Sequence, residues 1–219
     1  LALANLCSHP TERIQTELAF MNIPKKNLYI LILAELVAVA GFSVIVPFLP
    51  YYVQDLGVTD PNEIKLWSGW LYSVQAVTMA LVAPIWGLLA DRFGRKMMVD
   101  RAMFGGAFVF LLMGLAQNVQ QVLGLRALQG LLTGTVPAAT ALVASSAPQK
   151  KSGTYIGLLQ TGIFLGASLG PMAGGVVADT FGYRAAFWLT GLCLFLAGLL
   201  VHLYVEEYPH SSLKGSSKN

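Results

Sequence analysis

One eight-residue pattern occurs twice in this chain and constrains its fold more than any other feature. The pattern, G-[LV]-[LV]-A-D-x-F-G, begins at Gly87 and again at Gly175, and each copy lies between two long apolar segments. Arg95 and Lys96 follow the first copy, whereas only Arg184 follows the second. Because the cytoplasmic loops of membrane proteins are enriched in Lys and Arg, we expect the copies to lie on opposite sides of a membrane. The sequence therefore predicts two repeated units, each with an odd number of spans and inverted relative to the other.

The composition predicts an integral membrane protein. Hydrophobic residues make up 55% of the chain and charged residues 11%, and the mean hydropathy is +0.62. A soluble domain carries about a quarter charged residues. We predict six spans, each about as long as the ~20 residues that a transmembrane helix requires. They cover Leu28–Val53, Leu66–Ala90, Met97–Ala116, Val119–Ala147, Thr154–Ala178 and Ala185–Val205.

The basic residues predict how the chain is oriented. They precede the first span and then fall on alternate connections, at Lys25, Lys26, Arg92, Arg95, Lys96, Lys150 and Lys151. Since such residues belong on the inside, both termini are predicted to be cytoplasmic, in a multi-pass protein of the cell (inner or plasma) membrane. Residues 1–26 are then a disordered cytoplasmic segment and residues 27–205 an all-α bundle of six transmembrane helices. Residues 206–219 are a polar cytoplasmic tail or the start of a central linker.

The first copy of the pattern belongs to a longer motif made of Gly87, Asp91, Arg92, Gly94, Arg95 and Lys96. Gly94 allows a tight turn at the membrane interface, since glycine adopts positive φ without strain. The Asp and Arg side chains can cap or pair with the end of a neighbouring helix. A plain basic loop is the alternative, and it explains the arginines and the lysine but not the duplicated Gly and Asp.

Two ionisable residues lie inside predicted spans. Arg126 is in the fourth span, in the pattern R-x-x-Q-G, and Glu35 is the one acidic residue well inside the first span. A charged side chain within a membrane is costly, so it normally faces a partner or a water-filled cavity. Arg126 lies about seven residues, or ~10 Å, into its span, so a side chain that extends outward to the interface is the alternative. The sequence does not decide whether Arg126 forms a direct ion pair with Glu35. The two residues are offset along the membrane axis by on the order of 8 Å, which the long Arg side chain can span.

A third motif lies on the fifth predicted span. It matches G-x8-G-x3-G-P-x2-G-G at Gly157, Gly166, Gly170, Pro171, Gly174 and Gly175. Gly162 extends it to a glycine at every fourth residue, a stripe that allows another helix backbone to approach closely. Pro171 permits a bend. Generic helix packing explains the four-residue spacing but not the complete pattern.

Together and in this order, the three motifs resemble those of the amino-terminal half of a major facilitator superfamily transporter of the drug:proton antiporter type, over nearly all of residues 27–205. The fold this implies is two inverted three-helix repeats, and the function is multidrug efflux, the proton-coupled export of small organic molecules by alternating access. The resemblance implies that Arg126 couples proton and substrate, that the Asp91–Lys96 loop gates the conformational change, and that the glycine motif favours exchange. It also implies that the loop and the glycine stripe face a second half. Glu35 is the candidate proton carrier, although related pumps often place the acid at the position of Ala38.

The remaining polar residues of the spans indicate where a substrate cavity lies. Candidates to line it are Gln75, Gln129, Thr133 and Gln160, although each alone is more often a helix–helix hydrogen bond. Asp100 and Arg101, at the start of the third span, are interpreted as an interfacial ion pair. The sequence contains no nucleotide-binding loop, serine-nucleophile motif or metal-ligand pattern. We therefore expect a proton gradient as the energy source, with no cofactor, no metal and no enzyme activity.

The expected partners are the lipid bilayer, a small-molecule substrate, and either a missing carboxy-terminal six-helix half or a second copy of the chain; nucleic acid is not expected. Two other functions fit the same sequence. One is a facilitator or importer on the same fold, which a test of proton dependence would distinguish. The other is a non-transporting, truncated membrane protein, which would show no substrate flux.

Overall fold

The structure is a computed structural model that describes residues 10–147 and 151–206, with side chains from residue 26 onward. Every regular element in these ranges is helical, which confirms the all-α fold class. The elements are α1 (Pro10–Ile45), a 3-10 turn (Val46–Phe48), α2 (Leu49–Asp55), α3 (Pro61–Phe93), α4 (Arg95–Met113), α5 (Val119–Leu132), α6 (Thr135–Ser146), α7 (Ser152–Phe181) and α8 (Tyr183–Tyr204).

Five segments of the described chain are long and apolar enough to cross a membrane, by length and composition. They are Lys26–Asp55, Pro61–Phe93, Val119–Ser146, Ser152–Phe181 and Tyr183–Tyr204, which correspond to five of the predicted spans. The predicted third span is α4. It is not apolar enough to be included, because four charged residues occupy its first two turns, at Arg95, Lys96, Asp100 and Arg101. Its length of about 28 Å still matches the ~30 Å hydrocarbon core.

The first helix begins earlier than the sequence predicted. α1 starts at Pro10, so residues 10–26, predicted to be disordered, are helical and continuous with the first span. Proline suits the first position of a helix because its missing N–H would have no partner there. Residues 11–21 are rich in good helix formers such as Glu, Gln, Leu, Ala and Met. The predicted tail lies outside the described residues except for Glu206, whose backbone N–H and carbonyl both bond to the Asn27 side chain.

The predicted fourth span is not one helix. α5 ends at Leu132 and α6 begins at Thr135, and Gly134 between them has a φ of 121°. Only glycine adopts that conformation without strain. The break leaves the first N–H groups of α6 and the last carbonyls of α5 without helical partners. Within a membrane such groups are tolerated where protein or a water-filled cavity covers them.

The duplicated pattern is also a duplicated conformation. α3 passes into α4 at Gly94, with φ 97° and ψ 154°, and α7 passes into α8 at Gly182, with φ 82° and ψ 164°. The N–H of each glycine donates to the carbonyl of the alanine four residues earlier, Ala90 or Ala178, at 3.0 Å. The positive φ that the sequence predicts for Gly94 is confirmed, and Gly182 repeats it.

The helices pack in an arrangement that follows the repeat. The first unit contains α1, α3 and α4, and the second contains the broken span α5–α6, then α7 and α8. α1 packs mainly against α7, and α3 mainly against α5, so the first helix of each unit contacts the second helix of the other. The third helices, α4 and α8, pack against each other. This exchange of equivalent contacts is what two inverted three-helix repeats require.

Equivalent cations stabilise the ends of the two third helices. The ammonium of Lys96 donates to the carbonyl oxygen of His202, near the end of α8, at 2.8 Å. The guanidinium of Arg184 donates to the carbonyl oxygen of Ala116, just beyond α4, at 3.3 Å. Lys96 and Arg184 each lie two residues after the last glycine of their copy of the pattern. A cation complements the negative end of a helix dipole, so each unit stabilises the helix end of the other.

The glycine stripe of α7 packs within this chain. The four glycines that face α1 are Gly162, Gly166, Gly170 and Gly174. A Cβ atom at Gly166 would overlap the carbonyl oxygen of Leu36, and one at Gly170 would overlap that of Ala40. The expectation that this stripe faces a second half is therefore wrong, because the stripe is what lets α1 and α7 approach backbone to backbone.

We expect Gly166→Ala to lower the free energy of unfolding by about 1–3 kcal/mol, because the added methyl group overpacks the α1–α7 contact. Gly157→Ala is the matched control on the same helix, since nothing lies within 4 Å of the Cβ it adds. Gly157 is outside the packed stripe, as is Gly175, whose added Cβ would meet only the Phe48 ring at 3.8 Å. Unfolding in detergent micelles measures both variants. Equal stability of the two would contradict the close contact.

Candidate functional site

A buried polar cluster lies between α3 and α5. The Arg126 side chain is 5% exposed, and its Nη1 atom donates to Gln75 Oε1 at 2.8 Å and to Gln129 Oε1 at 3.2 Å. Arg126 and Gln129 lie on one face of α5 because residues three apart on a helix are neighbours. The buried side chain excludes the alternative in which Arg126 extends to the membrane interface. Its Nε atom is buried without a hydrogen-bond partner, so the cluster retains an unused donor.

Gly130 brings the two helices close enough to form this cluster. A Cβ atom at Gly130 would overlap the Thr78 hydroxyl and the Gln75 carbonyl oxygen of α3. Glycine removes that overlap, so the Gln75 side chain comes within hydrogen-bond distance of Arg126. The glycine of the R-x-x-Q-G pattern thus has a direct structural role beside its arginine.

Tyr72 joins the cluster although the sequence did not indicate it. Its hydroxyl donates to the carbonyl oxygen of Val46, in the 3-10 turn that follows α1, and the side chain lies near Arg126. Tyr72 lies three residues before Gln75 on α3, a spacing that places both on one face. That spacing was the only signal in the sequence. Tyr72 links the Arg126 cluster to the end of α1.

Glu35 is buried beside the break in the fourth span. Its side chain is 0% exposed, and neither carboxyl oxygen has a hydrogen bond of normal geometry. The Thr135 side chain, in the first turn of α6, lies near enough to interact with the carboxyl. In the described part of the chain no ion pair joins Glu35 to Arg126. The direct pair that the sequence left open is therefore not formed.

The break at Gly134 lies between these two groups. On its α5 side, the Thr133 hydroxyl donates to the carbonyl oxygen of Gln129 at 2.7 Å. On its α6 side, Gly134 provides no side-chain cap for the first N–H groups of the helix. The positive end of a helix dipole favours a negative charge, and discontinuous helices form the ion and substrate sites of many transporters. The arrangement can hold a carboxylate at one end of the break and a cation at the other.

Comparison with known proteins identifies the family. The family model for the Major Facilitator Superfamily matches residues 31–219. The chain belongs to this superfamily. It is 49% identical over 183 residues to the multidrug resistance protein MdtG of Enterobacter lignolyticus, a match that covers 84% of the chain and 44% of that relative. Superfamily members are transporters rather than enzymes, and this chain is accordingly a multi-pass membrane protein.

Two solved structures share the superfamily fold with this chain. The human organic anion transporter MFSD10 matches with a TM-score of 0.70 and 19% identity, over 84% of this chain and 48% of that one. An inward-facing, unoccupied bacterial homolog of the human lysosomal transporter Spinster matches with a TM-score of 0.72 and 18% identity, over 85% and 44%. The chain thus spans a little less than half the length of these transporters and of the MdtG relative.

The superfamily loop motif connects the start of α4 to two other helices, α6 and α8. Arg95 Nη1 donates to the carbonyl oxygen of Ala141 in α6 at 2.8 Å, and Lys96 bonds to α8 as described above. Arg92 lies over the ring of Phe93, 5.4 Å from its centroid. Two cations of the motif thus bind carbonyls of this chain, and the expectation that the loop also faces a second half stays a prediction.

Asp100 and Arg101 do not form the predicted ion pair. Asp100 Oδ2 lies 2.9 Å from His202 Nδ1 of α8, whereas the Arg101 guanidinium lies over the ring of Trp86 in α3, 3.6 Å from its centroid. Asp100 points toward α8 and Arg101 toward α3, as adjacent positions on one helix favour.

The predicted cavity-lining residues divide into two groups. Gln75 and Gln129 bind Arg126, and Thr133 lies at the break next to Gln129. Gln160 is half-buried on α7 and is not among the partners of Arg126. The structure thus brings three of the four together.

Proposed function

We propose that this chain provides the amino-terminal half of a proton-coupled exporter of small organic molecules, working by alternating access. Membership of the superfamily and the similarity to a multidrug resistance protein support the transport of organic molecules. The observation that carries proton coupling is the burial of Glu35 without a hydrogen-bonded partner. Loss of a proton would leave an unpaired charge inside the bundle, which costs several kcal/mol. Deprotonation must therefore be accompanied by a rearrangement.

The break at Gly134 provides the element that rearranges. A Glu35 carboxylate lies beside the uncapped first turn of α6, and a small movement there would let backbone N–H groups bind it. α6 in turn is bonded to Arg95 of the loop motif through Ala141. A proton leaving Glu35 would thus shift α6, and α6 would move the loop. This route assigns proton binding to Glu35 and gating to the loop of residues 91–96.

Arg126 is proposed to couple the proton to the substrate. Its Nη1 atom is committed to Gln75 and Gln129, but the buried Nε atom has no partner. A substrate carbonyl, or a rearranged carboxylate, would satisfy that donor and displace the amides. Gln75, Gln129 and Thr133 then form part of the substrate cavity, which in such carriers lies near the membrane midplane between two halves.

A second six-helix bundle is proposed to complete the carrier. It would be either a carboxy-terminal half or a second copy of this chain, with both termini of the present chain in the cytoplasm. The apolar residues of α3 support such a partner, because many of them are exposed, such as Leu66 at 61%, Trp70 at 59% and Leu81 at 71%. A bundle packed on this side would cover them and enclose the Arg126 cluster.

Uptake of fluorescent amphipathic dyes into inside-out vesicles, with and without an imposed pH gradient, tests this function. We expect uptake against a dye concentration gradient only when the vesicle interior is acidic, and loss of uptake when an ionophore collapses the gradient. Flux that is indifferent to the gradient would identify a facilitator. No flux from a protein shown to be folded would identify a non-transporting membrane protein.

A further inference from the structure

A cavity beside the Arg126 cluster, which shares Thr133 with it, lies between α3, α4 and the α5–α6 break. Its volume is about 180 Å³. Most of its wall is apolar, including Met79, Ala83 and Ala138, and Arg101 is the charged side chain among the described residues that line it. Arg101 takes no part in the function proposed above. An apolar cavity that contains one cation requires an explanation.

Arg101 is held in place but its donors are not used. Its guanidinium lies over the ring of Trp86, and Trp86 is itself fixed by a hydrogen bond of 2.8 Å from its Nε1 atom to the carbonyl oxygen of Leu131. The Nε and Nη1 atoms of Arg101 are buried and have no hydrogen-bond partner in the described part of the chain. The adjacent Asp100 is bound to His202 instead. Buried donors without partners are costly, so the site is complete only when an acceptor occupies it.

We propose that this cavity binds the oxyanion head of an amphipathic molecule, a carboxylate or a phosphate attached to a hydrocarbon chain. The planar fork of an arginine matches the oxygen atoms of such a group. A cavity of about 150 Å³ accommodates benzene, so this one accommodates the head group and a few carbons. The rest of the chain would lie along α3, where Ile85 and Leu88 beside the cavity are 53% and 73% exposed.

The proposed binding at this cavity does not depend on the direction of transport or on its energy source. Two sources supply the same chemistry, an anionic phospholipid of the membrane and a free fatty or organic acid.

The cavity wall includes Trp86, which anchors Arg101, and Gly134, at the positive end of α6. Binding here would therefore contact the same break beside which Glu35 is buried.

Binding of radiolabelled laurate to the purified protein, with any carboxy-terminal half that accompanies it in the cell, tests the proposal. Dodecanol, which has the same chain but no charge, is the control ligand. We expect laurate to bind the native protein at least about tenfold more tightly than it binds Arg101→Gln, since a hydrogen bond to a charged group is lost. Lys65→Gln, which removes an exposed cation outside the cavity, should bind laurate like the native protein. Arg101→Lys should be intermediate, because it keeps the charge but loses the fork.

Competition distinguishes the two sources. Displacement of laurate by phosphatidylglycerol but not by phosphatidylcholine would assign the site to a lipid head group, and displacement by neither would assign it to free acids. The proposal is overturned if Arg101→Gln binds laurate like the native protein, or if dodecanol binds as tightly as laurate. Size-exclusion profiles of the variants establish that each is folded.

Discussion

Replacement of Arg126 by Gln is expected to reduce gradient-driven dye transport by at least about a hundredfold. A hydrogen bond to a charged group contributes about 1.5–3 kcal/mol, and about 1.36 kcal/mol lost from the rate-limiting step corresponds to a factor of ten in rate. The substitution removes both hydrogen bonds from Nη1, to Gln75 and to Gln129, together with the free Nε donor. Initial rates of dye uptake into inside-out vesicles, at matched protein levels, measure the effect.

Two further variants separate this role from folding. Arg126→Lys keeps the charge but cannot reproduce the arginine fork, so we expect partial transport. Gln120→Ala changes an exposed polar residue of the same helix and should transport like the native protein. Native rates in Arg126→Gln would contradict a role for the cluster in transport. If Arg126→Gln alone failed to fold while Arg126→Lys was folded and active, the result would still be compatible with a role for the cluster in transport.

Replacement of Glu35 by Gln is expected to abolish accumulation of dye against its gradient while leaving exchange of dye between the two sides. Gln fills nearly the same volume but has no proton to release, so the protein can cycle only with substrate. Uphill uptake driven by a pH gradient and counterflow of dye without one are the two measurements. The predicted result is no uphill uptake, with counterflow close to that of the native protein.

The carboxylate itself must be responsible for that loss. Glu35→Asp retains an ionisable group beside Thr135 and should restore uphill uptake at a reduced rate. Glu63→Gln removes a carboxylate from the first turn of α3, outside the site, and should have no effect on coupling. Uphill uptake by Glu35→Gln would show that another group carries the proton.

Features set by local rules could be predicted from the sequence. The spans follow from hydropathy, and the turn at Gly94 follows from the conformational freedom of glycine. The repeat at Gly182 follows because the same residues recur in the same order. The sequence also shows Lys96 and Arg184 at equivalent positions after the two copies, but their partner carbonyls lie in the opposite repeat and become evident only once the units are packed together.

Features that depend on which helices meet could not be predicted. Gly134 is one of 22 glycines, and nothing near it distinguishes a break from the glycines inside continuous helices. Nor does the sequence indicate that the glycine stripe of α7 packs against α1. Tyr72 and Arg101 gain their environments from Val46 and Trp86, which are distant in sequence. Long-range packing, rather than local propensity, decides what these side chains do.

Proton release on substrate binding tests the central claim most directly. A dye selected by the vesicle assay is added to the purified protein in weakly buffered solution, and the released protons are followed with a pH indicator. If Glu35 exchanges its proton for substrate, the native protein releases protons in proportion to bound dye, and Glu35→Gln binds dye without releasing any. Equal proton release by both proteins, or dye binding to the native protein with no release, would contradict the account.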